Sequence, residues 1–371
     1  MAGGRRSPNN KLLMRGHLYL WVGICAFSVR SSGEGHVNSS VANQTRICEY
    51  NEMGGKAGQW VYRNGSSKSF RCCGGDGNDW QDPSLVNFCH ANSTLMTSGR
   101  GCFCDELQFH RHTVSEREKF VWETTNCTTM KWNATYFCEL LGPRTLLLIG
   151  DSTMKQTAST LRTMIQHDEP PGDCGMQILL RDSDFLVDWG LLEPRPTTVE
   201  RAAMFKKHLH EIRPDIAILS TGAHYLSVDT YHSMWRILAK GIEDIRRKYK
   251  HPPKFVWKTQ NPGHHACRTG DHETPLQSID QYKPIDDKNK WNLHRNYDEI
   301  ARNKSAELGI QVIDMSPLYL RPDGHPGYLA YDIRGGDCLH YCLPGPLNIF
   351  SILVMHMLRS TLNVSGNDDD F

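Results

Sequence analysis

From Thr145 onward the chain alternates short apolar runs with segments whose apolar residues recur at helical spacing, a texture that predicts an α/β domain with a mostly parallel sheet. The first run, Thr145 to Ile149 (TLLLI), is apolar almost throughout, as in a strand buried on both faces. It passes through Gly150-Asp151-Ser152 into a helix whose inner face is marked by Met154, Ala158, Leu161 and Ile165. Ala202, Phe205, Leu209 and Ile212 predict a second helix, stopped by Pro214 and followed by a strand over Asp215 to Leu219. A helix around Ser233 to Tyr249 then leads to a strand over Phe255 to Lys258. A long helix from Asp287 to Leu308, closed by Gly309, precedes a strand at Ile310 to Asp314, and the last helix runs from Pro346 to Leu362. No internal repeat interrupts this order.

The segment before residue 140 has a different texture. Residues 48–138 carry eight cysteines among glycines and polar residues (CCGGDGNDW, SGRGCFCDE) with no long periodic helix, so they predict a small disulfide-stapled module. The expected organisation is a signal over 1–30, a linker over 31–47, the cysteine-rich module over 48–140, the α/β domain over 141–362 and an acidic tail over 363–371.

Four basic residues, Arg5, Arg6, Lys11 and Arg15, precede the apolar stretch Leu18 to Val29, which reads as a secretory signal. Spanning a bilayer takes about 20 apolar residues, so a cleaved signal peptide fits this dozen best, and a short signal-anchor satisfies the same pattern. Removing Cys25 from the 13 cysteines leaves an even set, as expected of disulfides in an oxidising lumen. Sequons at Asn38, Asn43, Asn64, Asn92, Asn126, Asn133, Asn303 and Asn363 point to the same compartment, the Golgi lumen or the exterior. A formal net charge of +1 gives no electrostatic case for binding nucleic acid or an anionic membrane surface. The chain lacks a Gly-x-Gly-x-x-Gly turn, a phosphate loop and zinc spacing outside a disulfide setting, so no bound metal, nucleotide or flavin is expected.

In an open parallel sheet, ligands sit beyond the carboxyl ends of the strands, which puts Ser152 in the right kind of turn. As a tripeptide, Gly150-Asp151-Ser152 is equally a plain helix N-cap. Asp337-Cys338-Leu339-His340 changes the balance, because an acid and a histidine three residues apart can meet on one turn and leave the other imidazole nitrogen for a serine. A surface turn or a metal site shared with Cys338 and Cys342 is the competing reading of those four residues. Strand-end position also marks His264 and His265, after Asn261-Pro262-Gly263, as candidates to line an acceptor site. The rings of Trp189, His224, Tyr225 and Tyr341 are candidates to stack on sugars or, alternatively, to fill a core.

Taken together, Gly150-Asp151-Ser152 after a first strand and the late Asp337-x-x-His340 resemble the SGNH (GDSL-type) hydrolase superfamily. The run Asp337-Cys338-Leu339-His340-Tyr341-Cys342-Leu343-Pro344-Gly345 is similar to the D-C-x-H-W-C-L-P-G signature of the PC-esterase family, which includes plant trichome birefringence-like polysaccharide O-acetyltransferases. Trp122 to Cys127 and Phe137-Cys138 are similar to that family's cysteine-rich N-terminal segment. The resemblance implies a flavodoxin-like three-layer α/β/α sandwich and a triad of nucleophile Ser152, base His340 and orienting Asp337. It implies an oxyanion hole of the Ser152 N–H, Gly190 and the residue at 220, where Ser220 stands in place of the plant Asn. A serine is shorter and donates one hydrogen bond, which leaves room for a further donor such as His224.

The expected activity is transfer of an acyl group, acetyl by preference, to a glycan hydroxyl through an acyl-serine, with His224, His264 and Trp189 toward the acceptor. The donor derives ultimately from acetyl-CoA, with a membrane partner as its carrier. The same triad run with water is a carbohydrate O-acetyl esterase, and a glycan-binding ectodomain with weak catalysis is the reading from a different class.

Overall fold

The computed structural model describes residues 46–64, 117–168, 175–187, 206–265, 274–284, 290–325, 337–343 and 345–362. Its centre is a parallel sheet of β3 (Thr145–Gly150), β4 (Gln177–Asp182), β5 (Ile216–Ser220), β6 (Lys254–Lys258) and β7 (Gln311–Ile313). The strand order is β4-β3-β5-β6-β7. Every pair is parallel, so helices must return the chain across the faces of the sheet.

The apolar runs alternate between two cores. Leu146, Leu148, Ile216, Ile218 and Val256 point to one face, beneath α2 (Ser152–His167) and α5 (Asn348–Leu362). Leu147, Ile149, Ala217, Leu219, Phe255 and Trp257 point to the other, beneath α3 (Val228–Lys248) and α4 (His294–Glu307). Two buried faces explain why β3 and β5 are apolar throughout, and the result is the expected three-layer sandwich.

Several boundaries differ from expectation for local reasons. Helix α3 begins five residues early because Ser227 caps it, its side chain accepting from Thr230 N. Helix α4 begins at His294, after a 3-10 turn over Trp291–Leu293. The helix expected from Ala202 is seen over 206–212, and its start lies outside the described residues. Strand β4 was not expected: QILLRD is half polar because it occupies the sheet edge.

The boundary expected near residue 140 does not separate two cores among the described residues. Strands β1 (Gly58–Tyr62) and β2 (Phe120–Thr124) form an antiparallel ribbon that pairs Trp60 with Trp122, their rings 5.6 Å apart. Trp122, Met53, Met130 and the disulfide-bonded Cys48 and Cys127 belong to the same core as α2 and α5. The neutral imidazole of His356 on α5 joins them, donating from Nδ1 to Cys48 O (2.8 Å) and accepting Met130 N–H at Nε2 (3.0 Å). Helix α1 (Ala134–Leu141) leads from this segment into β3, and its capping residue Asn133 is exposed. Asn64, Asn126 and Asn303 are also exposed, while the other four sequons lie outside the described residues.

The ribbon meets the sandwich at Arg321. This fully buried guanidinium makes a two-point bond with Asp323 (2.8 and 2.7 Å), donates to Arg117 O (2.9 Å) and lies 4.5 Å from the Trp60 ring centre. Removing one partner of a buried ion pair leaves the other charge uncompensated, at a cost of about 3–5 kcal/mol. Arg321→Met should therefore lower the denaturation midpoint sharply, and adding Asp323→Leu should restore most of the loss. A single variant that unfolds at the parent's midpoint would remove this structural role.

Candidate active site

The turn after β3 is shaped by two close approaches. A Cβ on Gly150 would meet Ser220 O at 2.3 Å, and a Cβ on Gly222 would meet the Gln260 amide at 2.6 Å, so only glycine lets these strand ends lie this near. Between them sits Asp151, fully buried. Its Oδ1 accepts from Thr153 N (3.0 Å) and Thr153 Oγ1 (2.7 Å), capping α2, while Oδ2 accepts from Gly222 N (3.3 Å) and Ala223 N (3.2 Å). One carboxylate thus ties the first turn of α2 to the loop after β5. Ser152, the next residue, is left partly exposed at the positive end of a helix of 16 residues.

His340 reaches that serine from a chain segment held at nearly every residue. Asp337 Oδ1 accepts from Leu339 N and His340 N, both at 3.0 Å, and its Oδ2 lies 2.7 Å from His340 Nδ1. His340 Nε2 lies 2.8 Å from Ser152 Oγ. Gln156, one helical turn beyond Ser152, clamps the next residue at two points: its Nε2 donates to Tyr341 O (2.8 Å) and its Oε1 accepts from Tyr341 N (3.0 Å). Cys338 O accepts from His264 N (3.0 Å), and Cys342 N donates to Gly324 O (2.7 Å). The sequence reading did not single out Gln156, whose signal is a polar residue four positions after the serine on an otherwise buried helix face.

Burial alone would raise the pKa of Asp337, but the hydrogen bond and charge of His340 and the N–H groups of His340 and Leu339 outweigh it. The carboxyl is held well below its usual range. An ionised Asp337 accepts Nδ1–H, which leaves the Nε2 lone pair facing the serine hydroxyl. Cys338 and Cys342 are disulfide-bonded and offer no thiolate, which removes the metal reading of this segment.

Other expected site residues are placed differently. Ser220 is in register with Gly150, yet it is wholly buried and its Oγ has no hydrogen-bond partner. It does not present a donor to a substrate oxygen, which corrects the expected oxyanion role. His264 is also corrected: its ring is 2 % exposed and both nitrogens are engaged, Nδ1 with His325 Nε2 and Nε2 with Tyr319 O, so it does not line an open acceptor site. Tyr225 and Tyr341 are core residues. His224 is 42 % exposed beside Asp184 (3.3 Å) and remains available at the rim, as does exposed His265. Gly190 and Trp189 lie outside the described residues.

Residues 223–357 match the model of the PC-esterase family, described as a GDSL/SGNH-like acyl-esterase family found in Pmr5 and Cas1p. This stretch of the chain is therefore similar to the PC-esterase family. The matched PC-esterase stretch holds Asp337 and His340, while Ser152 precedes it. Xyloglucan O-acetyltransferase 1 of Arabidopsis thaliana is 23% identical to this chain over 293 residues, covering 64% of it and 70% of the plant protein. Trichome birefringence-like 18 of the same plant is 22% identical over 312 residues, covering 65% and 58%. Among solved structures, the periplasmic domain of a lipopolysaccharide acetyltransferase from Salmonella ser. Paratyphi A aligns with a TM-score of 0.38 at 12% identity, over 60% of this chain and 85% of that one. Esterase EstA from Pseudoalteromonas sp. aligns with a TM-score of 0.34 at 10% identity, over 59% and 99%.

The position of Ser220 yields a direct test. Loss of a true oxyanion donor costs about 10²–10³ in turnover, whereas removing a buried hydroxyl without a partner is close to neutral. Ser220→Ala should turn over an activated aryl acetate within about twofold of the parent and unfold at no lower denaturant concentration. A hundredfold loss with the fold intact would return Ser220 to the oxyanion hole.

Proposed function

We propose that this chain transfers an acetyl group to a glycan hydroxyl through an acyl-serine at Ser152. The observation that carries the reading is the continuous line from Ser152 Oγ to His340 Nε2 (2.8 Å) and from His340 Nδ1 to Asp337 Oδ2 (2.7 Å). Relatives named for O-acetylation of xyloglucan support the choice of acyl group and of acceptor class.

In the first half-reaction Ser152 Oγ bonds to the donor's carbonyl carbon, its proton passes to His340 Nε2, and the carbonyl electron pair moves onto oxygen. The Ser152 N–H, in the first turn of α2, is oriented with the positive helix end toward that oxygen. Collapse breaks the bond to the leaving group, which takes the proton from Nε2. In the second half-reaction His340 removes a proton from the acceptor hydroxyl as its oxygen bonds to the acyl carbon, the acyl carbon–Oγ bond breaks, and Nε2 returns the proton to Ser152 Oγ. The ionised Asp337 stabilises the imidazolium in both halves. The acyl donor is a co-substrate, an activated acetyl ester or thioester, and no tightly held cofactor takes part.

Exposed His224, with Asp184 beside it and Leu226 60% exposed two residues on, supplies a polar and apolar rim where an acceptor sugar can rest. The N-terminal apolar stretch, the sequons and the disulfides support a lumenal setting for this chemistry, with the chain as a glycoprotein.

Brief incubation of the purified chain with an activated acetyl ester, followed by peptide mass spectrometry, should find acetyl on Ser152 and none in Ser152→Ala or His340→Ala. Asp337→Asn, which offers Nδ1 a donor in place of an acceptor, should keep the fold and lose about 10⁴ in turnover. Glycan added after acetylation should collect the group faster than water does. Faster loss to water would make the enzyme an esterase, and a well-folded chain that never acetylates Ser152 would overturn the proposal.

A further inference from the structure

Beneath the His340 segment lie two buried histidines whose hydrogen bonds cannot be supplied by two neutral rings. His264 Nε2 faces Tyr319 O at 3.0 Å, and His325 Nδ1 faces His340 O at 2.6 Å. A carbonyl only accepts, so each of these nitrogens must carry a proton. The remaining nitrogens, His264 Nδ1 and His325 Nε2, then face each other at 2.7 Å. In two neutral imidazoles both would be bare lone pairs. Three contacts need three ring protons, and two neutral rings bring two. His356 shows the contrast, since its one donor bond and one acceptor bond are met by a single neutral imidazole.

We propose that His264 and His325 form one proton-sharing unit that positions the main chain of His340, taking up and releasing its third ring proton as a pair. With three protons the line from Tyr319 O through both rings to His340 O is closed. With two, one contact becomes lone pair against lone pair and the line opens. The only species exchanged is a proton with solvent, and no covalent bond changes. The inference rests on His340 being the base of the proposed reaction.

The surroundings define what this proton meets. On the segment carrying the triad, Asp337 favours the added charge and His340 opposes it. Tyr282 packs edge-on against His264 (5.2 Å between ring centres), and Tyr341 packs against His325 with its ring tilted by 36° (4.2 Å). The hydroxyls of Tyr282, Tyr319 and Tyr341 donate to Gly263 O, to Asp298 and to the carbonyls of Pro262 and Leu318, and burial keeps all three uncharged. The Arg321–Asp323 pair next in the chain is internally compensated. Burial first, then the like charge of His264, holds His325 well below an ordinary imidazole. The third proton is therefore bound on the acid side and lost as pH rises.

The test is ring ¹⁵N spectroscopy of the full chain labelled in histidine, titrated from about pH 8 down to the acid limit of the folded state, with His356 as the internal reference. The expected result is a single shared transition for His264 and His325, ending with three of their four ring nitrogens protonated. Separate midpoints, or two protons throughout the folded range, would overturn the proposal whether or not Ser152 is ever acetylated. For the positioning role, His325→Asn keeps a side-chain donor for His340 O, and His325→Ala does not. With an activated aryl acetate, the Asn variant should stay within about threefold of the parent kcat. The Ala variant should fall by about 10–10² with KM within twofold, the loss expected of a base displaced by a fraction of an ångström. An Ala variant with the parent's kcat would overturn the positioning role.

Discussion

Ser152 and His340 are 188 residues apart in the chain, and the amide of Gln156 converts that separation into a 2.8 Å contact. Gln156 stands one turn after Ser152 on α2, so the rigid helix carries both Ser152 and the clamp for the residue beside His340. Because the clamp engages both main-chain groups of Tyr341, it fixes orientation as well as distance. Asp151 does the same for the other wall, binding α2 to the loop after β5 through four hydrogen bonds to one carboxylate. Ser152 and His340 are thereby referred to one element, and the precision of their contact is that of a helix rather than of the loops that bear its parts.

The sandwich was legible because its evidence is repetitive. A strand covered on both faces must be apolar throughout, as Thr145–Ile149 is, and a helix covered on one face must show the 3.6-residue spacing of Met154, Ala158, Leu161 and Ile165. Ser152, Asp337 and His340 were legible because the residue types and the turn positions coincide. What escaped was whatever depends on a partner distant in the chain. Nothing local marks Arg321 as the cation between the ribbon and the sandwich, nor Gln156 as a main-chain clamp, since a buried polar group is defined by what surrounds it. Ser220 and His264 were misplaced for the converse reason: position at a strand end tells which end of the sheet a residue occupies, but not whether its side chain faces the cleft or the core.

The N-terminal ribbon is part of the site's support rather than an appendage. Its Trp60 N–H donates to Pro317 O (2.8 Å), its disulfide-bonded Cys48 is tied through His356 to α5, and Arg321 lies against its ring. Arg321 and Asp323 precede His325 by four and two residues, and His325 Nδ1 holds the carbonyl of His340. A chain of contacts therefore runs from the segment of the Cys48–Cys127 disulfide to His340.

At the carboxyl ends of β5 and β6, buried side-chain atoms of Ser220, Gln260 and Asn261 lack hydrogen-bond partners among the described residues. A fold selected for stability alone would fill those positions with apolar side chains, because each unsatisfied buried group costs on the order of 1–3 kcal/mol. Their location at the same end of the sheet as Ser152 agrees with the rule that ligands bind beyond the carboxyl ends of parallel strands. The His264–His325 pair extends this pattern in depth, since its shortage of one proton is a further polar deficit on the same side of the sheet. Stability is given up locally at this end of the sheet, and the two apolar cores on either face of the sheet carry the fold.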